Sequence, residues 1–459
     1  LLKPITKGTW RVERHADVVP TIYEAFRVAT SGEPGPVFVE IPVELQLIPG
    51  EAGDLPQFDP NGPPARVPAA AELDRAAALL RHAVRPGIFC GWGAVDTGEA
   101  LERLAEALGA PVATTLQGLS AFRGNHPLHA GFALGPSSVP ASQNAFKSCD
   151  CLLAIGTRFA EIPTGSYGYE PPANLVHVDI NPQVFGANYP AAVAIEGDAR
   201  AVVMALAERL TEVQGAAARR QQVAAQIAAD KSAYLEEWLA HDPAGRVNPA
   251  RFFRALRARL PDDGIVVADD GNHTFLVAEL MPMHAPRCFF SPSDFNSMGY
   301  CVPGVIGAKL ARPERTVVGI VGDGAVRMTG LEMATAVAQG IGVAWFVFND
   351  GELAQIAQAQ QVPYNRKTCT VLPPLDLEGL ARANHVAFER MDNDAAVERI
   401  IERALSTAGS GRPVLVDVRI DYSKRTRFTE GTIRTNLKRF DMGTKARLVG
   451  RALWRKVTG

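Results

Sequence analysis

Two patterns of apolar and polar residues alternate along the chain, and each predicts a different element. Short apolar runs such as 317–321 and 343–348 show no polar alternation, which is typical of strands covered on both faces. Between them, residues 325–340 carry apolar side chains at helical spacing and end at a glycine. The predicted apolar face of this helix consists of Leu331, Met333, Ala334 and Val337. Together these segments predict one strand–helix–strand unit with parallel strands.

The same alternation extends over most of the chain and predicts an α/β fold, with doubly wound parallel sheets and helices on both faces. The 459 residues are enough for about three domains at roughly 150 residues each. Proline-rich and polar stretches suggest where the boundaries lie. The predicted segments are a partial first domain 1–50, a linker 51–66, a central domain 67–207, a helical linker 208–246, a third domain 247–421 and a basic tail 422–459.

Individual elements follow from the same patterns. In the first fifty residues we predict a helix at Val18–Thr30 and a strand at Val37–Ile41, with no strand before them. The other predicted strands are Gly87–Cys90, Val112–Thr115, Cys151–Ile155, Leu175–Ile180, Ile265–Ala268 and Val414–Val418. The other predicted helices are Ala70–Ala83, Glu99–Leu108, a long surface helix within 208–240, and Lys445–Trp454.

Charge and cysteine content argue against a nucleic-acid-binding, membrane-bound or disulfide-stabilised protein. The 47 basic and 49 acidic residues give no overall bias towards nucleic acid or an anionic membrane surface. No segment approaches the roughly 18 uninterrupted apolar residues of a membrane span. The six cysteines form no CxxC pair, so we predict reduced thiols in a soluble, cytoplasmic protein.

The candidate chemistry lies in the strand–helix–strand unit. Gly322-Asp323-Gly324 follows the first apolar run and Asp350 follows the second. Parallel topology brings both carboxylates to the same edge of the sheet, where ligands bind. The following helix would point unpaired N–H groups at that edge, which suits a phosphate. We therefore expect Mg²⁺ between Asp323, Asp350, a backbone carbonyl near Glu352 and a diphosphate.

This Gly-Asp-Gly turn with its downstream acidic residue resembles the diphosphate motif of thiamine diphosphate (ThDP) enzymes. The segment VGDGAVRMTGLEMATAV is similar to the acetolactate synthase large-subunit branch. The resemblance implies that the third domain binds the diphosphate and that the metal ligands are Asp323, Asp350 and Glu352. It further implies a cofactor-binding set of Gly271, Asn272, His273, Ser297, Met298, Gly322, Asp323, Gly324, Ala325 and Asp350.

One member of this set, Met298, has two interpretations. The segment SDFNSMGYCVPGVIGAKL resembles the family stretch whose methionine wedges between the two rings of ThDP. The resemblance implies that role for Met298, with Ser297 contacting the pyrimidine. The alternative is that Met298 fills a gap in the core, as methionine often does.

In the central domain, GTRF, HVDINP and EGDA resemble family stretches that line an FAD without a redox role. The resemblance implies possible FAD contacts from Arg158, Asp179 and Asp198. However, Ala160 stands where the family usually has aspartate. A central domain that has the fold but binds no flavin remains an equal alternative.

The first fifty residues resemble only the last part of the family's pyrimidine-binding domain, through the segment GEPGPVFVEIP. We therefore expect an N-terminally truncated chain that is inactive by itself. The resemblance also implies that a glutamate upstream of Leu1 activates the cofactor, so no catalytic residue is assigned within this sequence.

The implied reaction is ThDP- and Mg²⁺-dependent decarboxylation of a 2-oxo acid such as pyruvate, followed by carboligation to a second carbonyl, as in branched-chain amino acid synthesis. Gln355 stands where the family usually has an apolar residue and Ala359 where it has a tryptophan, which predicts a smaller and more polar pocket wall and leaves the substrate open. Another decarboxylase or carboligase, or a non-catalytic ThDP-binding paralogue, remains open. The resemblance implies a homodimer or homotetramer. The basic segment 424–456 is interpreted as a lid, an interaction tail, or a helix at Lys445–Trp454 that packs on a neighbouring subunit.

Overall fold

The computed structural model describes residues 1–59, 68–211, 213–292, 295–364 and 366–458. These residues form two six-stranded parallel sheets and one two-stranded parallel sheet, each larger sheet with helices around it. The predicted α/β class with parallel sheets is therefore confirmed. Within the described residues, no helix combines the length and apolar character that a membrane crossing requires.

The N-terminal segment is a small unit built around two parallel strands. Its elements are β1 (Thr9–Arg11), α1 (Val18–Thr30), β2 (Phe38–Glu40) and α2 (Val43–Leu47). The predicted bounds of α1 are confirmed, but the prediction that no strand precedes it is wrong, because β1 pairs with β2. A strand of three residues is too short to show a period in the sequence.

The central domain contains ten regular elements around one sheet. They are α3 (Ala70–His82), β3 (Pro86–Cys90), α4 (Glu99–Leu108), β4 (Val112–Thr114), β5 (His129–Phe132), α5 (Pro140–Phe146), β6 (Cys151–Ile155), β7 (Asn174–Asp179), β8 (Val193–Glu196) and α6 (Ala199–Arg209). The strand order is β5-β4-β3-β6-β7-β8. Four of these strands match predicted ones, whereas β5 and β8 were missed. Part of the predicted linker, residues 60–66, lies outside the described residues.

A long helix, α7 (Ala216–Leu239), follows the central domain. It was predicted as a surface helix, and much of it is exposed. One side is not: Tyr234 and Trp238 are buried in the core of the C-terminal domain. The helix therefore joins the two domains by packing as well as by covalent connection.

The C-terminal domain is built on the second six-stranded sheet, in the order β10-β9-β11-β12-β14-β13. Its elements are α8 (Pro249–Arg259), β9 (Ile265–Ala268), α9 (Asn272–Leu280), β10 (Phe289–Phe290), α10 (Cys301–Ala311), β11 (Val317–Gly322), α11 (Asp323–Thr329), α12 (Met333–Ala338), β12 (Ala344–Phe348), α13 (Ala354–Tyr364), α14 (Leu377–Ala383), β13 (Ala387–Met391), α15 (Val397–Gly409), β14 (Val414–Val418), α16 (Arg427–Arg439) and α17 (Met442–Thr458).

The apolar run of β11 shows why this sheet needs no polar alternation. Val318 and Ile320 lie in the apolar cluster on one face of the sheet, and Val317 and Val321 lie in the cluster on the other face. Both faces are therefore covered by helices, and the burial of successive residues stabilises the strand on each side.

The helix after β11 differs from its prediction. A 3₁₀ turn at Gly330–Glu332 separates α11 from α12. This break changes the helical phase, so Leu331 and Ala334 are exposed, while Met333 and Ala336 are buried. The predicted apolar face was therefore correct at Met333 and wrong at Leu331.

The basic C-terminal segment packs on the rest of the chain. Phe428 of α16 stacks on Phe275 of α9 with 3.8 Å between ring centroids. Gly431 lies so close to Pro136 in the central domain that an added Cβ would approach its carbonyl oxygen to 2.2 Å. Helix α16 therefore packs on both large domains. The predicted helix Lys445–Trp454 lies within α17, which packs against α13 of the same chain, and its packing on a neighbouring subunit stays a prediction.

A single carboxylate fixes the start of α16. Glu279, at the end of α9, accepts hydrogen bonds from the N–H groups of Arg427 and Phe428 at 3.1 and 2.9 Å. The Tyr234 hydroxyl donates to the same carboxylate at 2.5 Å. Burial raises the pKa of Glu279 to about 7, and these hydrogen bonds oppose the shift. Glu279 therefore binds the first two N–H groups of α16, in addition to the cap that Thr426 provides by accepting from the Thr429 N–H group at 3.3 Å.

Candidate active site

The two predicted carboxylates meet at the carboxyl edge of the C-terminal sheet. Strands β11 and β12 are parallel neighbours, with Gly322 opposite Phe348. Asp323 follows the first strand directly and Asp350 comes two residues after the second. The N–H group of Gly351 donates to Asp323 Oδ2 at 3.2 Å, which links the two turns. The parallel crossover therefore brings both residues together, as the sequence predicted.

Burial raises the pKa of both carboxyl groups, and the charge of Asp323 adds to the rise at Asp350. Asp323 is 3% exposed, and its burial raises the pKa to about 6 against the hydrogen bond from the Gly324 N–H group. Burial, followed by the charge of Asp323, raises the pKa of Asp350 to about 7. The pair is thus costly to ionise without a nearby positive charge. A bound cation would remove that cost.

Glu352 contributes to this site through its backbone more than through its carboxylate. Its side chain forms an ion pair with Lys367 at 2.5 Å. Its N–H group donates to Asp350 Oδ1 at 3.4 Å. Among the described residues, no group of three or more His, Cys, Asp or Glu side chains is arranged to hold a metal. A cation between Asp323 and Asp350 would therefore depend on backbone and ligand oxygens for its remaining ligands.

The predicted diphosphate turn lies next to this pair. His273, in the first turn of α9, packs against Gly322, so an added Cβ there would approach its Cε1 to 3.1 Å. The imidazole is hydrogen-bonded to the backbone of Asp269, and burial lowers its pKa to about 3. His273 Nε2 is buried and has no partner among the described residues. Gly271, at φ 152°, allows the close approach of this ring.

Asn272 and Ala325 lie in the first turns of the two helices that start at this edge. Asn272 is 7% exposed at the start of α9, and Ala325 is 1% exposed near the start of α11. Asn272 thus adds a nearly buried polar group to the turn, whereas Ala325 can contribute only backbone.

Asp269 positions the segment that carries Met298, a role that the sequence interpretation missed. Asp269 is fully buried and accepts hydrogen bonds from the N–H groups of Gly299 and Cys301 at 3.0 and 2.7 Å. Burial raises the pKa of its carboxyl group against these bonds. An aspartate directly after the buried run 265–268 was the available signal. These two hydrogen bonds hold the loop that carries Met298 against the end of β9.

Met298 lies beside the Gly-Asp-Gly turn and packs against the apolar cluster on that face of the sheet, whereas Ser297 is exposed. The contact of Met298 with ThDP stays a prediction. A Cβ added to Gly324 would lie 3.2 Å from Met298 Cε and 2.7 Å from Leu353 Cδ2. Leu372 Cδ1 lies 3.5 Å from the same point. Glycine is thus required here by close packing. Apolar side chains occupy this side of the turn, so a ligand would reach it from the side of His273.

The helix that contains the departures from the family pattern follows the site directly. In α13, Gln355 is half-buried, whereas Ile356 and Ala359 are exposed. A polar side chain therefore replaces an apolar one in the helix that follows Asp350 in the chain.

The candidate FAD residues lie at the corresponding edge of the central sheet, where they have other partners. Arg158 forms an ion pair with Glu33 of the N-terminal unit. Asp179 accepts a hydrogen bond from the Asn181 N–H group at 2.9 Å. Burial raises the pKa of this carboxyl group, and the hydrogen bond opposes the rise. Asp198 caps helix α6 by accepting from the Ala201 N–H group at 3.0 Å.

Between these residues the central sheet edge is closed by backbone. A Cβ added to Gly91 would lie 2.1 Å from the carbonyl oxygen of Gly156. The turns after β3 and β6 therefore touch each other at the point where the strand order reverses. Ligands of open α/β sheets usually bind at such a point.

A cavity of about 420 Å³ opens on the other side of the carboxylate pair. Arginine residues from four segments line it, and the sequence interpretation assigned none of them. Three of the four, Arg246, Arg390 and Arg419, come from segments that carry no recognisable motif. Only their convergence at the sheet edge distinguishes them from other surface arginines.

Two family models match the chain. The one described as the thiamine pyrophosphate enzyme central domain matches residues 73–206. The one described as the C-terminal TPP binding domain of thiamine pyrophosphate enzymes matches residues 269–418. These ranges coincide closely with the two six-stranded sheets, so both large domains have an assigned counterpart.

Curated relatives agree with the family models. The probable acetolactate synthase large subunit of Methanocaldococcus jannaschii is 30% identical over 92% of this chain and 72% of the relative. The acetolactate synthase isozyme 2 large subunit of Escherichia coli is 31% identical over 91% of this chain and 74% of the relative. The acetolactate synthase large subunit of Corynebacterium glutamicum is 31% identical, with 58% of its own length covered. The chain therefore belongs to the acetolactate synthase large-subunit family of thiamine pyrophosphate enzymes.

Proposed function

We propose that this protein uses ThDP and Mg²⁺ to decarboxylate a 2-oxo acid such as pyruvate and to join the product to a second carbonyl. The observation that carries the proposal is the juxtaposition of Asp323 and Asp350 at adjacent strand ends, both with raised pKa values. Two buried carboxylates that repel each other are typical of sites that bind cations.

The described residues fit such a cofactor. Asp323 and Asp350 would supply carboxylate oxygens to the metal, and the Glu352 carbonyl would supply a third. A phosphate oxygen at the partnerless Nε2 of His273 would favour the protonated imidazole, which would then donate a hydrogen bond to it. Met298 would contact the cofactor from the loop that Asp269 fixes.

When bound, ThDP would supply the electron sink for decarboxylation. The residues of this chain would hold its diphosphate, orient it and exclude water. The buried environment of His273 and Asp323 strengthens electrostatic interactions with the diphosphate compared with water. The acceptor carbonyl would be selected by the wall that includes Gln355.

That wall supports a second candidate within the family, namely decarboxylation or carboligation with a different 2-oxo acid or acceptor. Gln355 is half-buried in α13, the helix that follows Asp350 in the chain, and offers hydrogen-bonding groups where the family pattern has an apolar residue. A polar group that a substrate leaves unpaired lowers the rate for that substrate. A substrate that carries a hydrogen-bonding group near this position would then be preferred.

The first experiment is a calorimetric titration of ThDP into the 459-residue chain with and without Mg²⁺. We expect binding that depends on the metal and that Asp323→Asn removes. Equal binding with and without Mg²⁺ would contradict the proposed metal site.

The second experiment is an assay of the full-length protein with pyruvate. We expect release of CO₂ and formation of acetolactate. CO₂ release without acetolactate would favour the second candidate, and ThDP binding without CO₂ release would indicate a non-catalytic relative. The expected homodimer or homotetramer can be measured by light scattering on the same sample.

FAD stays a prediction, and its candidate residues Arg158, Asp179 and Asp198 all have other contacts within the chain. No step of the proposed reaction involves it. Flavin absorbance of the purified protein is the direct measurement.

A further inference from the structure

The cavity beside the carboxylate pair extends away from the predicted cofactor site. It follows the carboxyl ends of β12, β14 and β13 and is bordered by residues 372–375. Asp323 and Asp350 form its boundary with the rest of the site. His273, Met298 and Gly324, which lie around the β9 and β11 ends, do not line it. The carboxylate pair thus separates two different regions of one sheet edge.

The cavity is lined by four arginine residues whose guanidinium groups have few acidic partners. Among the described residues, no carboxylate lies within 4 Å of the guanidinium nitrogens of Arg246 or Arg419. Arg390 lies 3.5 Å from Asp417 and 3.8 Å from Glu378. Arg327 donates to the carbonyl oxygen of Pro373, but its Nε is buried with no partner among the described residues. Positive charge therefore converges here with unsatisfied hydrogen-bond donors.

The charge balance favours an anion. The lining contains four arginines and four aspartates, Asp323, Asp350, Asp392 and Asp417. If a divalent metal neutralises Asp323 and Asp350, as in the proposed function, four positive groups face the two remaining carboxylates. Glu378, 3.8 Å from Arg390, offsets one more of these charges, so the cavity keeps a net positive charge that suits an oxyanion. Arginine is also the side chain best suited to bind carboxylate or phosphate through two parallel hydrogen bonds.

We propose that this arginine-lined cavity binds a small metabolite carrying a phosphate or carboxylate group, at a site separate from the cofactor. Its volume lies within the range of small-molecule sites. Because Asp350 borders both regions, an anion here would lie close to the metal and would influence the charge of the active site. This proposal goes beyond the proposed function and depends on it only for the charge balance.

Two residues are suited to a test because their replacement leaves the backbone contacts intact. Arg419 is exposed, and its backbone N–H group donates to the Met391 carbonyl in any variant. Arg246 is half-buried, and its guanidinium has one long contact, at 3.4 Å, to the Ile420 carbonyl. Arg254, exposed on α8 of the same domain, is the matched control.

The experiment measures thermal unfolding of the chain loaded with Mg²⁺ and ThDP while inorganic phosphate, or separately succinate, is added at constant ionic strength. We expect saturable stabilisation, with about tenfold weaker binding in Arg419→Gln and Arg246→Gln, since each loses one charge-assisted interaction. Arg254→Gln should match the unchanged protein. The preferred probe, phosphate or succinate, identifies the oxyanion.

Equal responses in all variants would overturn the proposal, because the effect would then be unspecific. A phosphate response that disappears when ThDP is bound would also overturn it, since phosphate would then occupy the diphosphate site. If the chain fails to bind ThDP, the proposed function fails, but the same comparison of variants without cofactor still decides whether the arginines bind an anion.

Discussion

The two six-stranded sheets have the same architecture but very different carboxyl edges. In the central sheet, the turns after β3 and β6 press together at Gly91 and Gly156, so backbone fills the position where ligands usually bind. In the C-terminal sheet, the corresponding edge carries Asp323, Asp350 and His273 with raised or lowered pKa values. One edge is used for packing, and the other retains unsatisfied polar groups.

This difference indicates what converts a common fold into a binding site. Asp179 and Asp323 are both buried aspartates at the end of a parallel strand. Burial raises the pKa of both, and in each case a hydrogen bond from the following turn and a nearby arginine, Arg158 or Arg327, oppose the rise. Asp323 differs because it also faces a second carboxylate, Asp350, whose pKa it raises. The comparison predicts that Asp323 is required for binding and that Asp179 is not.

The largest effect is expected from Asp323→Asn. Loss of one charged metal ligand should weaken Mg²⁺-dependent ThDP binding by more than about 100-fold, to below detection. Asp179→Asn is the matched control and should bind ThDP as the unchanged chain does. Calorimetric titration of both variants gives the result, and similar affinities in the two would contradict the contrast between the edges.

The packing edge is tested by Gly91→Ala. The added methyl group would meet the Gly156 carbonyl oxygen, which is backbone and cannot move aside easily. We expect a loss of about 3 kcal/mol in the free energy of unfolding, measured in urea. The folded fraction should bind ThDP with the affinity of the unchanged chain. If Gly91→Ala does not lower the free energy of unfolding, the turns after β3 and β6 are not in close contact.

The connection between the domains is tested by Glu279→Gln. Burial raises the pKa of Glu279 from 4.5 to about 7, so the folded state holds its proton more tightly than the unfolded state. Its contribution is therefore fully present below pH 4.5 and is lost as the pH rises through about 7. The unchanged chain should lose roughly 2 kcal/mol more than the variant over that interval.

Glu236 on α7 is exposed and serves as the control for this experiment. Glu236→Gln should keep the pH dependence of the unchanged chain. Parallel stability curves for Glu279→Gln and the unchanged chain would show that Glu279 titrates normally.

The smallest effect is expected from Asp350→Asn. It removes one of the two repelling charges, so the metal-free protein should gain about 1 kcal/mol of stability above pH 7. Because an amide oxygen can still bind Mg²⁺, metal-dependent ThDP binding should persist. Urea unfolding of the metal-free variant measures the stability gain, and calorimetric titration of ThDP in the presence of Mg²⁺ measures the binding. Loss of ThDP binding would show that the charge of Asp350 is essential.

Sequence patterns predicted the long elements and the placement of the main carboxylates. The apolar runs of β9, β11, β12 and β14 were clear because both faces of these strands are buried. The positions of Asp323 and Asp350 then followed from the topology of parallel crossovers. The proximity of His273 to the Gly322 turn followed only from the resemblance.

The rest depended on contacts that leave no periodic signal. β1 and β10 contain three and two residues, too few for a period. The phase change at Gly330 reversed the exposure of Leu331, although the local propensity favours a continuous helix. The roles of Asp269 and Glu279 come from hydrogen bonds to distant backbone, and the arginine cavity comes from four separate segments.

The most direct test is a crystal structure of the chain with ThDP and Mn²⁺, using the anomalous signal of manganese to locate the metal. We predict one anomalous manganese peak within coordination distance of a carboxylate oxygen from each of Asp323 and Asp350, with the diphosphate beside His273. A well-ordered ThDP whose metal lies away from either aspartate would contradict it.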